Sequence, residues 1–286
     1  MSTVLVCGST GRFREITPRL LERGHAVRAA TRDPGSPAAR DLRRRGATVV
    51  DADLDDVAGL RAAAEGADVV FAGGTAHAAG PQADARHGTN VAEAARDAGV
   101  SLLVYVSVAG ADRPSGVPVF ESKRAVEARI HRLRVPATIV APVYLMENLW
   151  NPWNLPALEA GRLPTPVPGT QRMKQVALAD VIAVAALVIE REDELVGQRV
   201  PVASDELTAH EAAAALSRLI DAPLAVQEPP SPPANPLFRW LEEVGDHVDI
   251  DGLRACFPDV GWHWFADWAA TQDLDAIRSA AAADRR

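Results

Sequence analysis

Short apolar runs alternate with segments of helical periodicity through the first half of the chain. The apolar runs are four or five residues long, as expected of strands buried in a sheet. Strands that alternate with helices form parallel sheets joined by right-handed crossovers. The chain therefore predicts an α/β fold, a doubly wound parallel sheet with strands over residues 4–7, 26–30, 47–50, 69–72, 102–106 and 137–140 and helices over residues 14–23, 56–64, 89–98 and 122–133.

The character of the chain changes after Pro142. Prolines become frequent there, and all six tryptophans lie at or beyond Trp150. We expect residues 1–148 to form the sheet domain and residues 149–286 to form a smaller, substrate-side domain. The two are expected to be partly interleaved, because the helical run 178–189 and the strand-like run 199–202 are candidates to return to the main sheet.

The composition limits the functions open to such a fold. A formal net charge of −8 argues against a nucleic-acid surface, which needs clustered Lys and Arg. The chain has no run of about 18 apolar residues and no secretion signal at its N-terminus, so we expect no membrane span and a cytoplasmic protein. Cys7 and Cys256 are the only cysteines and lack metal-ligand spacing, so no metal site is expected.

A glycine turn follows the first predicted strand. Gly8 and Gly11, with Thr10 between them, lie where a backbone can approach a pyrophosphate closely, although a plain tight turn would use the same glycines. Arg14 occupies the position of the third glycine that dinucleotide-binding turns carry. Two roles for Arg14 are open: its guanidinium contacts the pyrophosphate, or its bulk weakens or abolishes binding.

Arg32 lies at the end of the second predicted strand, about 20 residues after the glycines. An acidic residue at this position binds the ribose hydroxyls of NAD, whereas an arginine accommodates the extra phosphate of NADP. Asp33 comes only after Arg32. We therefore expect NADP(H) in preference to NAD(H), with Arg12 as a second candidate contact; the alternative for each arginine is a surface charge.

The chain resembles the NmrA-like branch of the atypical short-chain dehydrogenase/reductase superfamily. The matching pieces are the turn Gly8-Ser-Thr-Gly11, residues 24–28 with Thr31 and Arg32, and residues 53–56, 120–123 and 142–149. The resemblance implies a Rossmann core that prefers NADP, in a protein that is either a reductase of quinones, dyes or enones or a redox-sensing regulator. It also implies that Asp53 and Leu54 flank the adenine and that the loop Gly73-Gly74-Thr75 lies along the cofactor.

The candidate chemistry centres on Lys123. It resembles the lysine that, in many members of the superfamily, holds the cofactor ribose and lowers the pKa of a proton-donating tyrosine four residues earlier. Here that earlier residue is Val119, so the usual proton donor is absent. A quinone or conjugated acceptor delocalises charge after hydride addition, and solvent could then supply the proton.

Further candidates flank the predicted cleft. Tyr144, after the sixth strand, is a candidate substrate contact, and Ser107, at the end of the fifth, is a candidate for orienting the substrate. Residues 146–153 are rich in apolar groups that could line a pocket, or simply pack in the core. His77 and His87 are candidate general acids, or incidental loop histidines.

Three functions remain open from the sequence. The first is an NADPH-dependent reductase of a small, flat, apolar substrate such as a quinone, an enone or a polyketide-like molecule. The second is a non-catalytic NADP(H) sensor that acts through a protein partner, and the third is a cofactor-free enzyme on a degenerate Rossmann fold whose dinucleotide site is lost. Besides the small-molecule substrate, a protein partner or a homo-oligomer is compatible with the sequence.

Overall fold

The predicted apolar runs form most of a central seven-stranded sheet. The computed structural model of the protein describes residues 1–275 and 277, and the side chains of residues 76–78 lie outside this description. In chain order the strands are β1 (Thr3–Cys7), β2 (Ala26–Thr31), β3 (Thr48–Asp51), β4 (Val69–Ala72), β5 (Leu102–Val106), β6 (Ala137–Pro142), β7 (Tyr144–Leu145), β8 (Arg162–Pro164), β9 (Met173–Val176), β10 (Arg199–Val202), β11 (Asp205–Leu207) and β12 (Ala225–Gln227).

The central sheet has the strand order β3-β2-β1-β4-β5-β6-β10. β1 pairs in parallel with both β2 and β4, so the strand order reverses direction at β1. Ligands of open α/β sheets bind at such a reversal, beyond the carboxyl ends of the strands. The predicted doubly wound α/β fold is confirmed. Its topology makes the loops after β1, β2 and β4 the candidate ligand-binding loops.

Twelve α-helices are found among the described residues. The helix expected from residue 14 begins only at Ile16, so that prediction was two residues too early. The helices are α1 (Ile16–Glu22), α2 (Pro37–Arg44), α3 (Val57–Ala64), α4 (Ala76–Ala98), α5 (Pro118–Leu133), α6 (Leu155–Glu159), α7 (Leu178–Glu190), α8 (Glu192–Leu195), α9 (Ala209–Ile220), α10 (Pro236–Glu243), α11 (Ile250–Cys256) and α12 (Phe265–Ala270).

The chain divides into two units, which we call unit 1 and unit 2. Unit 1 comprises Met1–Pro142 and Val181–Pro201, and unit 2 comprises Val143–Asp180 and the chain from Val202 onward. In unit 1, residues of β1, β4 and β5 form a buried core with residues of α3, α4 and α5. None of the described helices is both long enough and apolar enough to cross a membrane.

The two cysteines lie in contrasting environments. Cys7 is buried in β1, and this burial raises the pKa of its thiol to about 12. Cys256, the last residue of α11 in unit 2, is exposed. The Cys7 side chain is therefore part of the core of unit 1, as a small apolar group would be.

Unit 2 has its own core and two small sheets. Its sheets have the strand orders β11-β9-β7 and β12-β8. α9 begins with a capping box, in which the Thr208 hydroxyl accepts the Glu211 N–H and the Glu211 carboxylate accepts the Thr208 N–H. Phe265 and Trp268 of α12 are each 3% exposed and pack with α9 in this core. The tryptophan-rich C-terminal segment thus contributes a packing face.

Candidate functional site

The turn after β1 is held by backbone geometry and by one buried hydroxyl. Gly8 has a φ of +77°, a conformation that a side chain would strain, and its carbonyl accepts the Gly11 N–H at 2.9 Å. The buried Ser9 hydroxyl donates to the Ala30 carbonyl of β2 at 2.8 Å. The glycine turn is therefore fixed directly to the neighbouring strand at the carboxyl edge of the sheet.

Phe13, rather than Arg14, packs this turn onto the sheet. Arg14 precedes α1, its side chain is 68% exposed, and its Nε lies 3.3 Å from the Glu15 carboxylate. Phe13 is buried and meets Phe71 edge to face at 6.3 Å between ring centroids. A Cβ added to Gly73 would lie 2.8 Å from the Phe13 ring, so the close contact of this loop requires glycine.

Arg32 carries a positive charge that no described residue neutralises. It is exposed, two residues after the Ala30 carbonyl to which the Ser9 hydroxyl donates, and neither an ion pair nor a hydrogen bond to its side chain occurs within residues 1–275 and 277. The Asp33 carboxylate accepts the Gly35 N–H at 2.9 Å. The end of β2 thus presents a cation next to the glycine turn.

The remaining predicted cofactor contacts lie in loops at the same edge. Asp53 and Leu54 are half-buried after β3; the Asp53 carboxylate accepts the Asp55 N–H at 3.0 Å, and the Leu54 carbonyl accepts the Asn90 side chain at 2.8 Å. In the turn after β1, Thr10 is exposed and Arg12 is half-buried.

Lys123 forms a buried ion pair with Asp84. Lys123 is 4% exposed and Asp84 is 2% exposed, and Nζ lies 2.9 Å from Oδ1. Asp84 also accepts the Thr75 N–H at 2.7 Å and the Ser122 hydroxyl at 3.0 Å. Burial lowers the pKa of Lys123, and the Asp84 carboxylate opposes this shift. Sequence reasoning missed Asp84, because a single acidic residue in a polar helical segment gives no signal of burial.

The ammonium of Lys123 lies against the loop after β4. A Cβ at Gly74 would collide with Lys123 Nζ, so the loop contacts the lysine through bare backbone. Beyond it, the Thr75 hydroxyl is 3.0 Å from Nδ1 of His87, whose Nε2 is 3.3 Å from Asp55. His87 is therefore tied into the hydrogen bonds around this loop, whereas the side chain of the other candidate, His77, lies outside the described residues.

Ser107 lies at the end of β5 in a second, partly buried polar cluster. Its hydroxyl donates to Glu127, which also pairs with Arg199 at 3.2 Å, and Ser107 is 2% exposed. Tyr105, two residues earlier, has Lys123 Nζ 5.2 Å from its ring centroid, and burial raises the pKa of its phenol. Lys123 and Ser107 are therefore both engaged with carboxylates.

Part of the predicted substrate segment lines a cavity within unit 2, of about 50 Å³, which we call the unit 2 cavity. Tyr144, Met146 and Leu149 contribute to its wall. Trp153, in contrast, is 64% exposed, and Trp150 is half-buried with its indole N–H donated to Gln272 at 3.2 Å. The structure brings together the first residues of the segment 146–153 and leaves Trp153 at the surface.

The comparisons with known proteins agree with this architecture. The sequence profile of the NmrA-like family matches residues 1–238. The structure of NmrA, a negative transcriptional regulator, is similar to the chain at 17% identity and a TM-score of 0.75, covering 100% of this chain and 98% of that one. NmrA has also been crystallised in complex with NAD and with NADP.

Two reductases share the fold. An NADPH-dependent quinone oxidoreductase from Escherichia coli, complexed with NADPH, has 21% identity and a TM-score of 0.68 over 97% of this chain and 89% of that one. The Citrobacter sp. triphenylmethane reductase, complexed with NADP(H), has 21% identity and a TM-score of 0.69 over 97% of this chain and 90% of that one. At these identities the likeness shows a shared Rossmann-type fold.

Proposed function

The chain belongs to the NmrA-like family, and we propose that it is an NADPH-dependent reductase of a small, flat, apolar acceptor such as a quinone, an enone or a polyketide-like molecule. Two structural neighbours named as reductases, one of quinones and one of triphenylmethane dyes, support this class of reaction. The proposal depends on the carboxyl edge of the unit 1 sheet, where the predicted cofactor contacts lie.

The exposed Arg32 is the observation that carries the proposal. Its guanidinium has no partner among the described residues, whereas the neighbouring Asp33 carboxylate is engaged with Gly35. A planar guanidinium can pair with the 2′-phosphate that distinguishes NADPH from NADH. The Asp33 carboxylate is already hydrogen-bonded within its own turn, so it does not bind the ribose hydroxyls as an acidic residue does in NAD recognition. This arrangement favours NADP(H).

The turn after β1 fits a pyrophosphate. Apart from Gly8 itself and its two chain neighbours, no described residue has a heavy atom within 4 Å of the position that a Gly8 Cβ would occupy, so a ligand can approach the backbone there. Arg14 is largely exposed beside the turn, and its side chain is long enough to pivot towards a phosphate. In this proposal Gly8, Thr10, Gly11, Arg12, Arg14 and Arg32 hold the phosphates, while Asp53, Leu54 and Gly73 line the adenine and nicotinamide sides.

The chemistry needs one hydride and one proton for each acceptor reduced. NADPH, when bound, supplies the hydride. Lys123, paired with Asp84 and packed against Gly74, orients the ribose through its positive charge, and Ser107 is the candidate contact for the acceptor in the same unit. The acceptor takes the hydride on carbon or on a quinone ring position, and its oxygen takes a proton from water, which accounts for the missing tyrosine.

Calorimetric titration with NADPH and with NADH tests the cofactor proposal. Arg32→Ala is expected to weaken NADPH binding about tenfold or more, because a charge-assisted hydrogen bond to phosphate is lost, and to leave NADH binding within about twofold. The matched control is Arg40→Ala, which removes an exposed positive charge from α2. Equal losses for NADPH and NADH in Arg32→Ala would contradict a 2′-phosphate contact.

A second function, an NADP(H)-sensing regulator, is favoured by one observation. Lys123 and Ser107 are each almost sealed from solvent and bound to a carboxylate, so neither presents a reactive group at the surface. A regulator would bind oxidised and reduced cofactor with different affinity and would not consume NADPH. Loss of NADPH absorbance with any acceptor in a broad quinone and enone panel decides in favour of the reductase.

A further inference from the structure

The wall of the unit 2 cavity is mostly apolar, with a few polar but uncharged side chains. Its carbon surface comes from β7, β9 and the segments around them, with Met146, Met173, Leu207 and Phe265 among the lining residues. No charged side chain of the described residues lines it. A charged ligand would lose its hydration there without a counter-charge, so the cavity selects a neutral molecule.

The polar groups of the cavity wall differ in how they are engaged. Thr165, Asn154 and Gln171 each donate a side-chain hydrogen bond to a backbone carbonyl, at 2.8, 2.9 and 3.1 Å. Tyr144 also has an interaction partner. The amide of Gln175, in contrast, makes no hydrogen bond to any other residue within 1–275 and 277, although Gln175 is only 8% exposed.

The backbone of Gln175 is fixed by its neighbours in the sheet. Gln175 is in β9, paired with Tyr144 of β7 on one side and with Asp205 of β11 on the other. Its carbonyl accepts the Ser204 N–H at 2.9 Å, so the backbone is held by the sheet. The amide atoms of Gln175 are not among the fully enclosed, unpaired polar atoms of the described residues, so they remain accessible from the cavity and can exchange a water for a ligand atom.

We propose that the unit 2 cavity binds a small, neutral, ring-shaped or short-chain molecule whose single hydroxyl or carbonyl oxygen is hydrogen-bonded by the Gln175 amide. The amide offers both N–H donors and a carbonyl acceptor, so it satisfies a phenol as well as a ketone or quinone oxygen. The apolar wall packs against the rest of the ligand. The inference rests on the proposed function only in calling this molecule a substrate; the binding itself needs no cofactor.

Three aromatic probes of similar shape separate the contribution of the hydrogen bond from those of apolar packing and of charge. Phenol is neutral with a hydroxyl, toluene is neutral without one, and benzoate is anionic. Ligand-detected NMR titration of the full chain, without any nicotinamide nucleotide, is expected to give phenol about fivefold tighter binding than toluene, the value of one hydrogen bond. Benzoate is expected to show no saturable binding.

The variant Gln175→Leu assigns the effect to the amide. It is expected to lose about fivefold in phenol affinity and to bind phenol and toluene alike, whereas the matched change Gln227→Leu, in exposed β12, leaves both affinities unchanged. Ala212→Leu enlarges a lining side chain and is expected to abolish saturable binding of both probes.

Three results would overturn the proposal: no saturable phenol binding to the natural chain, toluene binding as tightly as phenol, or equal phenol affinity in Gln175→Leu and the natural chain. If Gln175→Leu does not fold, the ratio of phenol to toluene affinity in the natural chain decides. Failure of the reductase assay leaves these titrations unaffected, and failure of the titrations leaves the cofactor test at Arg32 unaffected, so the two proposals fail separately.

Discussion

The ammonium of Lys123 and the carboxylate of Asp84 lie 2.9 Å apart, and both side chains are at least 96% buried. The pair joins α5 to α4 beneath the loop after β4. Replacing one partner with an apolar side chain leaves the other charge buried and uncompensated, whereas replacing both leaves no buried charge. This difference gives the pair a recognisable signature in unfolding experiments.

Lys123→Met and Asp84→Leu are each expected to lower the free energy of unfolding by about 3–5 kcal/mol. The double variant is expected to lose at least about 1 kcal/mol less than the sum of the two, because no unpaired charge remains. Urea unfolding measures all three. The exposed pair Arg45–Asp41 is the control, and Arg45→Met is expected to cost less than about 1 kcal/mol. Strict additivity at Lys123 and Asp84 would argue against direct coupling.

Gly74→Ala is expected to destabilise the protein by about 1–3 kcal/mol, because the new methyl group displaces Lys123 Nζ from Asp84. Thermal unfolding detects the change. Gly261→Ala is the control, since no heavy atom of the described residues beyond its two chain neighbours lies within 4 Å of the methyl position there. In the Lys123→Met background the same Gly74→Ala change is expected to cost less; an unchanged cost would place the clash elsewhere in the loop.

Arg14→Ala is expected to leave stability within about 0.5 kcal/mol of the natural chain, because the side chain is largely exposed and its only described ion pair is with the adjacent Glu15. Calorimetric titration is expected to show no gain in NADPH affinity, since the side chain does not pack into the turn. A gain of about tenfold or more would instead mean that Arg14 obstructs the phosphates.

Glu121 gives the protein a predictable sensitivity to acid. Its carboxylate accepts the Ser115 N–H at 2.6 Å and pairs with Arg124 at 2.9 Å, and these contacts lower its pKa from 4.5 to about 2. Because the folded pKa is the lower one, the contribution to stability is full above pH 4.5 and disappears as the pH falls towards 2. The melting temperature of Glu121→Gln is therefore expected to lie furthest below that of the natural chain near neutral pH.

The difference in melting temperature is expected to shrink as the pH is lowered from neutrality to about 3. Glu159→Gln, at an exposed carboxylate without a hydrogen-bond partner among the described residues, serves as the control and is expected to show no such trend. A difference for Glu121→Gln that stays constant with pH would mean that the substitution acts through packing rather than charge.

The sequence predicted the strands of the central sheet well because burial on both faces requires continuous apolar runs. β4 and β5 were predicted to the residue, and β10 was predicted as a candidate to rejoin the sheet. α2 was expected only as a solvated helix face ahead of Gly46, without bounds, because its arginine-rich sequence masks a short buried stripe containing Ala39 and Leu42. Periodicity is least informative where a helix buries so little.

The candidate site was less predictable, because its polar contacts join residues far apart in the chain. Lys123 and Ser107 were singled out by their positions, but Asp84 and Glu127, which engage them, were not. Gln175 likewise has no local signature: only the register of β9 with its neighbours puts its amide in the unit 2 cavity. The sequence pattern identifies which strand ends carry polar side chains, whereas contacts between distant elements of the fold decide which residues those side chains bind.

The contrast between the two cysteines makes the protein suitable for site-specific labelling. A thiol with a pKa of about 12, sealed in β1, forms almost no thiolate at neutral pH and is out of reach of alkylating reagents. The exposed Cys256 remains, at the end of α11 in unit 2. A maleimide fluorophore or spin label can therefore be attached at one defined position in the natural chain, with no substitution needed to remove the other thiol.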